Sequence, residues 1–139
     1  MPSANSAIGS SLGRIVGTWR LVSTKGVDDD GKALPPPYGP KPMGLVVFAA
    51  DGRMLAALCD GRDALPDGEA RQYVSYAGHY SFDGTTLTTR VDASSEASRV
   101  GGDQVRSVSF EGGRMILRPP RRMFAGAMQH QELVWERLG

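Results

Sequence analysis

The sequence has one cysteine, Cys59, two histidines, His79 and His130, and no apolar run long enough for a membrane span. One cysteine rules out an intrachain disulfide and any cysteine metal cluster. Two histidines need carboxylates to complete a zinc site, and no close His/Asp/Glu spacing supplies them. A bilayer-crossing helix takes about 20 apolar residues. An excess of charge of one sign is also missing, since 16 basic against 15 acidic side chains leave +1. That balance gives no pull toward nucleic acid or anionic lipid. The one basic stretch, Arg118 with Arg121 and Arg122 around Pro119-Pro120, reads as a solvated loop. No phosphate-cradling glycine loop, nucleophile elbow or metal motif is found. Residues 1–12 carry neither a basic n-region nor an apolar h-region, so no secretory signal is expected there. The expectation is a soluble, cytoplasmic protein with no cofactor and no metal.

What is present is a chain of 139 residues with 40 % hydrophobic and 22 % charged residues, enough for one domain with a real core. An N-terminal segment over 1–14, partly flexible, is expected to precede a single domain over 15–139. The 18 glycines and 9 prolines cut the chain into short segments of β-type alternation, and no stretch keeps a sustained helical period. Strands are expected over 16–24, 44–50, 53–59, 73–82, 85–91, 104–110, 114–118 and 127–138. Asp51-Gly52, Asp83-Gly84 and Glu111-Gly112-Gly113 separate three pairs of them, and such dipeptides between alternating runs signal hairpins. The proline-rich stretch from Asp28 to Pro40 reads as an ordered loop over one mouth. Residues 60–72 are polar, with room for a short helix after Pro66, and 93–102 form a Ser-rich loop. Eight strands joined in sequence predict an all-β, up-and-down antiparallel barrel, wide enough for side chains or one small ligand. An open sandwich is the alternative.

Several short motifs follow one another in a familiar order. Gly17-Thr18-Trp19 opens the first strand, Pro42-Met43-Gly44 the second, and Asp51-Gly52-Arg53-Met54 the third. Tyr76-Ala77-Gly78-His79-Tyr80, Asp103-Gln104-Val105-Arg106 and Leu133-Val134-Trp135-Glu136-Arg137-Leu138 come after them. Their order and spacing, from about Ile15 to the C-terminus, resemble the lipocalin-like domain family, small stand-alone calycin-type proteins of bacteria and fungi. The resemblance implies the barrel and a Trp19 that plugs its closed end. It also implies a structural arginine laid across that tryptophan. It implies no catalytic residue, because the family has no agreed set. Secreted lipocalins usually carry a signal peptide and disulfides, so extracellular transport is not expected.

Alternation sorts side chains into lumen and solvent sets. Trp19, Leu21 and Ser23 share one face of the first strand. Tyr76, Gly78, Tyr80 and Phe82 form the apolar set of theirs, which turns His79 outward. Gln131, Leu133, Trp135 and Arg137 share a face of the last strand, with Glu136 alternating away to pair with a neighbouring strand. Gln104, Arg106, Val108 and Phe110 share another. Arg106 is the residue of most interest, because a guanidinium inside an apolar cavity needs a partner. Two readings stay open for it: a ligand carboxylate held by the arginine fork, or a structural stack on Trp19 or Trp135. Tyr76 and Tyr80 offer hydroxyls beside apolar surface. Cys59 reads as a small buried hydrophobe, and Met54, Met115, Met123 and Met128 as pocket or core filler. The candidate ligand-binding set is therefore Trp19, Tyr76, Tyr80, Gln104, Arg106, Gln131 and Trp135.

The leading expectation is an intracellular binding protein for a small, largely apolar molecule with an anionic or polar group, and an oligomer is compatible with it. Two rivals stay open: a cofactor-independent cyclase or isomerase on a small hydrophobic metabolite, and a structural module with a filled barrel.

Overall fold

The computed structural model describes residues 12–124 and 127–139, so residues 1–11 of the expected N-terminal segment lie outside it. Ten strands follow in chain order: β1 (Gly17–Val27), β2 (Ala33–Leu34), β3 (Pro42–Phe48), β4 (Arg53–Asp60) and β5 (Tyr73–Phe82). Then come β6 (Thr86–Ser94), β7 (Asp103–Glu111), β8 (Arg114–Arg118), β9 (Arg122–Phe124) and β10 (Ala127–Arg137). Eight of them pair antiparallel in the order β1-β3-β4-β5-β6-β7-β8-β10, and β10 returns to β1. That last ladder runs from Trp19 opposite Arg137 to Val27 opposite His130, so the barrel is closed. Closure leaves no free edge among the eight. Strands β2 and β9 were not anticipated, since two or three residues are too short to show a period. They extend β1 and β10 at one rim.

The three expected hairpins are where turn chemistry put them. Gly52, Gly84, Gly112 and Gly113 all have positive φ, which these tight turns require and only glycine adopts without strain. In the second turn, Asp83 Oδ1 accepts the backbone N–H groups of Thr85 at 2.9 Å and Thr86 at 2.7 Å. No helix follows Pro66; residues 61–72 run as turns instead. Asp60, 1 % exposed, anchors them by accepting from the Arg62 guanidinium at 2.6 Å, and Arg62 also bonds Glu69.

Inward positions alternate as expected and fill one core around Trp19, Phe48, Tyr80, Phe82, Met115 and Trp135. Each large apolar side chain so buried contributes roughly 1.5–3 kcal/mol. The alternation breaks in two places. A bulge in β1 between Leu21 and Ser23 turns Ser23 outward, correcting its expected place beside Trp19 and Leu21. Thr24 then takes the less exposed position, and its hydroxyl donates to the Pro37 carbonyl at 2.6 Å. A second bulge puts an extra residue in β6 opposite Ala77 and Gly78. Cys59 is half-buried on the outward set of β4, not a core residue. Met54 and Met115 are core, whereas Met123 is 61 % exposed.

One barrel end is sealed. A helical turn over 12–15 lays the fully buried Ile15 across it, and the Trp19 Nε1–H donates to the Ile15 carbonyl at 2.8 Å. The Arg137 guanidinium stacks 4.3 Å from the Trp19 ring centroid and donates to the Val16 carbonyl at 2.6 Å and the Arg14 carbonyl at 2.5 Å. The arginine that covers the plug tryptophan is therefore Arg137. The place over Trp19 considered for Arg106 is thus taken by Arg137, while the Arg106 guanidinium donates to the Val105 carbonyl at 2.8 Å.

Candidate functional site

The opposite end is open to a cavity of about 860 Å³, within the range of small-molecule sites. Its floor and apolar wall come from inward residues of the strands: Leu58, Val74, Val91, Leu117, Leu133 and Trp135. Its rim comes from the loops at that end, including Pro35–Pro37, Tyr38, Arg99, and the Pro119–Arg122 stretch. The basic stretch read as a solvated loop is only partly one. Arg118 ends β8 half-buried and bonds Glu132 at 3.0 Å, whereas Arg121 and Arg122 are exposed and border this mouth.

One wall is polar. Gln104 and Arg106 project from β7, Tyr76 from β5, and Gln129 and Gln131 from β10. Gln129 is 4 % exposed and accepts the Gln131 side-chain amide at 2.9 Å. Arg99, from the 3-10 turn Ala97–Arg99, bonds both Gln104 Oε1 and Glu96, the latter at 2.6 Å. Its guanidinium also lies 5.8 Å from the Tyr76 ring centroid. Tyr38 is held by its backbone N–H, which donates to Gln72 Oε1 at 2.5 Å, with a positive φ of 64°.

The charges of this wall do not balance. Five arginines line the cavity against two carboxylates, Glu96 and Asp103, and of the five Arg121 is paired outside it with Asp29 at 3.3 Å. Both carboxylates are engaged, Glu96 with Arg99 and Asp103 with Arg90 at 2.6 Å. Arg106 is mostly buried, and its one hydrogen bond among the described residues goes from Nη1 to the Val105 carbonyl at 2.8 Å. Burial pulls its pKa below the ordinary arginine value, and the Arg99 and Arg122 charges act in the same direction. Burial likewise pushes the Tyr38 phenol up. A cation beside cations in a partly dry site is costly until an anion joins it. Deeper in, Trp135 is 2 % exposed and its Nε1–H has no acceptor among the described residues.

A family profile described as "Lipocalin-like domain" matches residues 16–66 and 62–138, nearly the whole chain. The chain belongs to the lipocalin-like domain family. No curated protein matches it at a significant level.

Within this lipocalin-like barrel the expected site residues divide. Tyr76, Gln104, Arg106, Gln131 and Trp135 meet at the cavity. Trp19 and Tyr80 lie elsewhere: Trp19 is in the sealed end, and the Tyr80 hydroxyl donates to the Ala49 carbonyl at 2.7 Å beside the first hairpin turn. His79 is exposed, and His130 bonds Asp29 at 2.7 Å on the surface. Glu136 pairs with Arg20 on β1. Sequence reasoning missed Tyr38 and Arg99, both on loops where no period marks an inward position. The signal available for Tyr38 was an aromatic directly after three prolines in a loop already assigned to the mouth. Among the described residues no group of His, Cys, Asp and Glu is placed to hold a metal, and no helix is long and apolar enough to cross a membrane.

Proposed function

We propose that this barrel binds a small amphipathic molecule in the cytoplasm, with the apolar body inside the cavity and an anionic group on Arg106. The observation that carries the reading is the Arg106 guanidinium itself: mostly buried, beside the cations Arg99 and Arg122, and without a carboxylate partner among the described residues. Its fork suits a planar carboxylate, taken in two parallel hydrogen bonds. The apolar wall of Leu117, Leu133 and Trp135 suits the rest of the molecule. Tyr38, Tyr76 and Gln104 stand close enough to the same mouth to orient it. The ligand this wall favours is less apolar than composition and fold suggest.

Chemistry on the ligand is the weaker reading. A cyclase or isomerase moves protons, and a good proton donor has its pKa brought near neutrality. Burial moves the Tyr38 phenol the other way, and both cavity carboxylates are ion-paired.

The test is tryptophan-fluorescence titration of refolded, ligand-free protein with a panel of aliphatic and aromatic carboxylates and their methyl esters. A charge-assisted bond contributes about 1.5–3 kcal/mol, so the free acids should bind roughly 10- to 150-fold tighter than the esters. Equal affinities, or no binding by any member below about 1 mM, would overturn the proposal.

A further inference from the structure

Apart from Arg53, His79 and Ser81 toward the hairpin end, the outward positions of β3, β4 and β5 are nearly all apolar where a barrel wall facing water should be polar. Cross-strand register aligns them in three rows. Met43, Cys59 and Tyr73 form the first, Leu45, Ala57 and Ser75 the second, and Val47, Leu55 and Ala77 the third. Eight of these nine positions are apolar or carry a thiol or phenol, and none is charged. Met43, Leu45, Val47, Leu55 and Tyr73 are each 39–56 % exposed. The outer walls of β1, β10, β6 and β7 are different, carrying Arg20, Lys25, Glu132, Glu136, Arg90 and Asp103.

We propose that this face is the interface of a two-fold symmetric dimer of the chain. Two features point to a second copy rather than another occupant. The first is charge. Three cations that border the face are matched within the same copy: Arg20 by Glu136, Arg53 by Asp92 at 2.6 Å, and Arg90 by Asp103 at 2.6 Å. Arg71 donates to backbone carbonyls, and Lys41 is exposed beside the first row. In an isologous interface a surface meets itself, so a rim of one sign would repel its own copy. A rim in which most cations are paired with acids repels little, and it offers few free cations to an anionic membrane.

The second feature is area. The five large side chains together expose roughly 500 Å², at the upper end of what a monomer shows as one patch. Two such faces bury on the order of 1,000 Å², the lower bound for a specific interface. An interface of about that size belongs to the weak, transient class.

Sedimentation velocity on the full chain from about 1 to about 300 µM tests this directly. The wild type should pass from monomer to dimer across that range. Leu45→Glu places a carboxylate in the middle row of each copy and should weaken the dimer at least about 100-fold. Because Leu45 points into solvent in the monomer, circular dichroism and thermal unfolding of the variant should match the wild type. Val105→Glu, on the far wall at an equally exposed position, should leave the dimer intact. A wild type that stays monomeric at the top of the range overturns the proposal, as does a dimer that survives Leu45→Glu. So does a monomer that floats with phosphatidylcholine vesicles and loses that property in Leu45→Glu, which would assign the face to lipid.

Discussion

Replacing Arg106 with methionine should make the ligand-free protein more stable and the ligand-bound protein less so. Methionine keeps the unbranched length of the arginine stem and removes only the guanidinium. In the free barrel that guanidinium is mostly buried, faces Arg99 and Arg122, and bonds one backbone carbonyl. A fully buried, unpaired ion costs several kcal/mol, and part of this one still reaches the mouth, so removal should return roughly 1–2 kcal/mol. For a chain of 139 residues that is a rise in Tm of about 3–8 °C. Binding should move the other way. Loss of the charge-assisted bond weakens a carboxylate ligand roughly 10- to 150-fold while leaving its methyl ester nearly unchanged.

The assay is thermal unfolding of refolded protein with and without saturating carboxylate. Ligand stabilises the wild type by mass action, so the two melting curves should exchange order when ligand is added. Arg106→Lys separates charge from shape: a lysine keeps the positive charge but not the fork, and intermediate affinity is expected. A ligand-free Arg106→Met that melts lower than the wild type would refute the reasoning, because the guanidinium would then be a structural element of the barrel. Unchanged carboxylate affinity would refute the binding half alone.

Tyr80→Phe removes the hydroxyl that donates to Ala49. It should cost roughly 0.5–1.5 kcal/mol in urea unfolding and leave carboxylate affinity unchanged, unlike Tyr76→Phe. In Gly78→Ala the new Cβ would press on the Arg90 backbone carbonyl, well inside the 3.0 Å that real Cβ atoms keep. Backbone on both sides gives way poorly, so roughly 1–3 kcal/mol should be lost, read by the same urea titration. The hydrogen bond and charge of Arg62 hold the Asp60 carboxyl below the usual carboxylate range. A depressed folded pKa stabilises fully above the unfolded value of about 4 and is lost as pH falls through the folded one. The wild-type Tm should therefore drop more steeply between about pH 6 and pH 3 than that of Asp60→Asn. Parallel slopes would show that the Asp60–Arg62 pair does not contribute.

Where local chemistry decides the structure, the sequence was legible. The three glycine turns placed the hairpins, and residues 73–82 and 114–118 match β5 and β8 at both ends. Period-two alternation brought Gln104, Arg106 and Val108 to one inward face because β7 carries no bulge. In β1 the same rule failed after Val22, since a bulge depends on partner strands more than 100 residues away and leaves no mark in the local pattern. The exchange of roles between Arg106 and Arg137 has a similar origin. Both are inward-facing arginines, and only the position along the barrel axis separates a stack on Trp19 from a place in the cavity. Tyr38 and Arg99 were out of reach because loops have no period; their positions follow from Gln72, Glu96 and Gln104, residues brought near by the closed barrel.

The location of the mouth, by contrast, is written in connection lengths. In an up-and-down barrel successive connections alternate between the two ends. Here the connections β3–β4, β5–β6 and β7–β8 are the tight ones, and all three fall at the same end as Trp19. The other four, which begin at 28, 61, 95 and 119, are long and leave their strands at the opposite end. Short turns draw strand ends together and leave space that one tryptophan, Ile15 and an arginine fill. Long loops stand apart and leave the barrel open, and inward residues near that end of their strands, Arg106, Gln129 and Gln131 among them, face the opening. The same alternation that closes one end thus puts a buried cation beside the open one. A ligand entering there meets the guanidinium before it meets the apolar floor, so the anionic group should sit near the mouth and the apolar end beside Trp135.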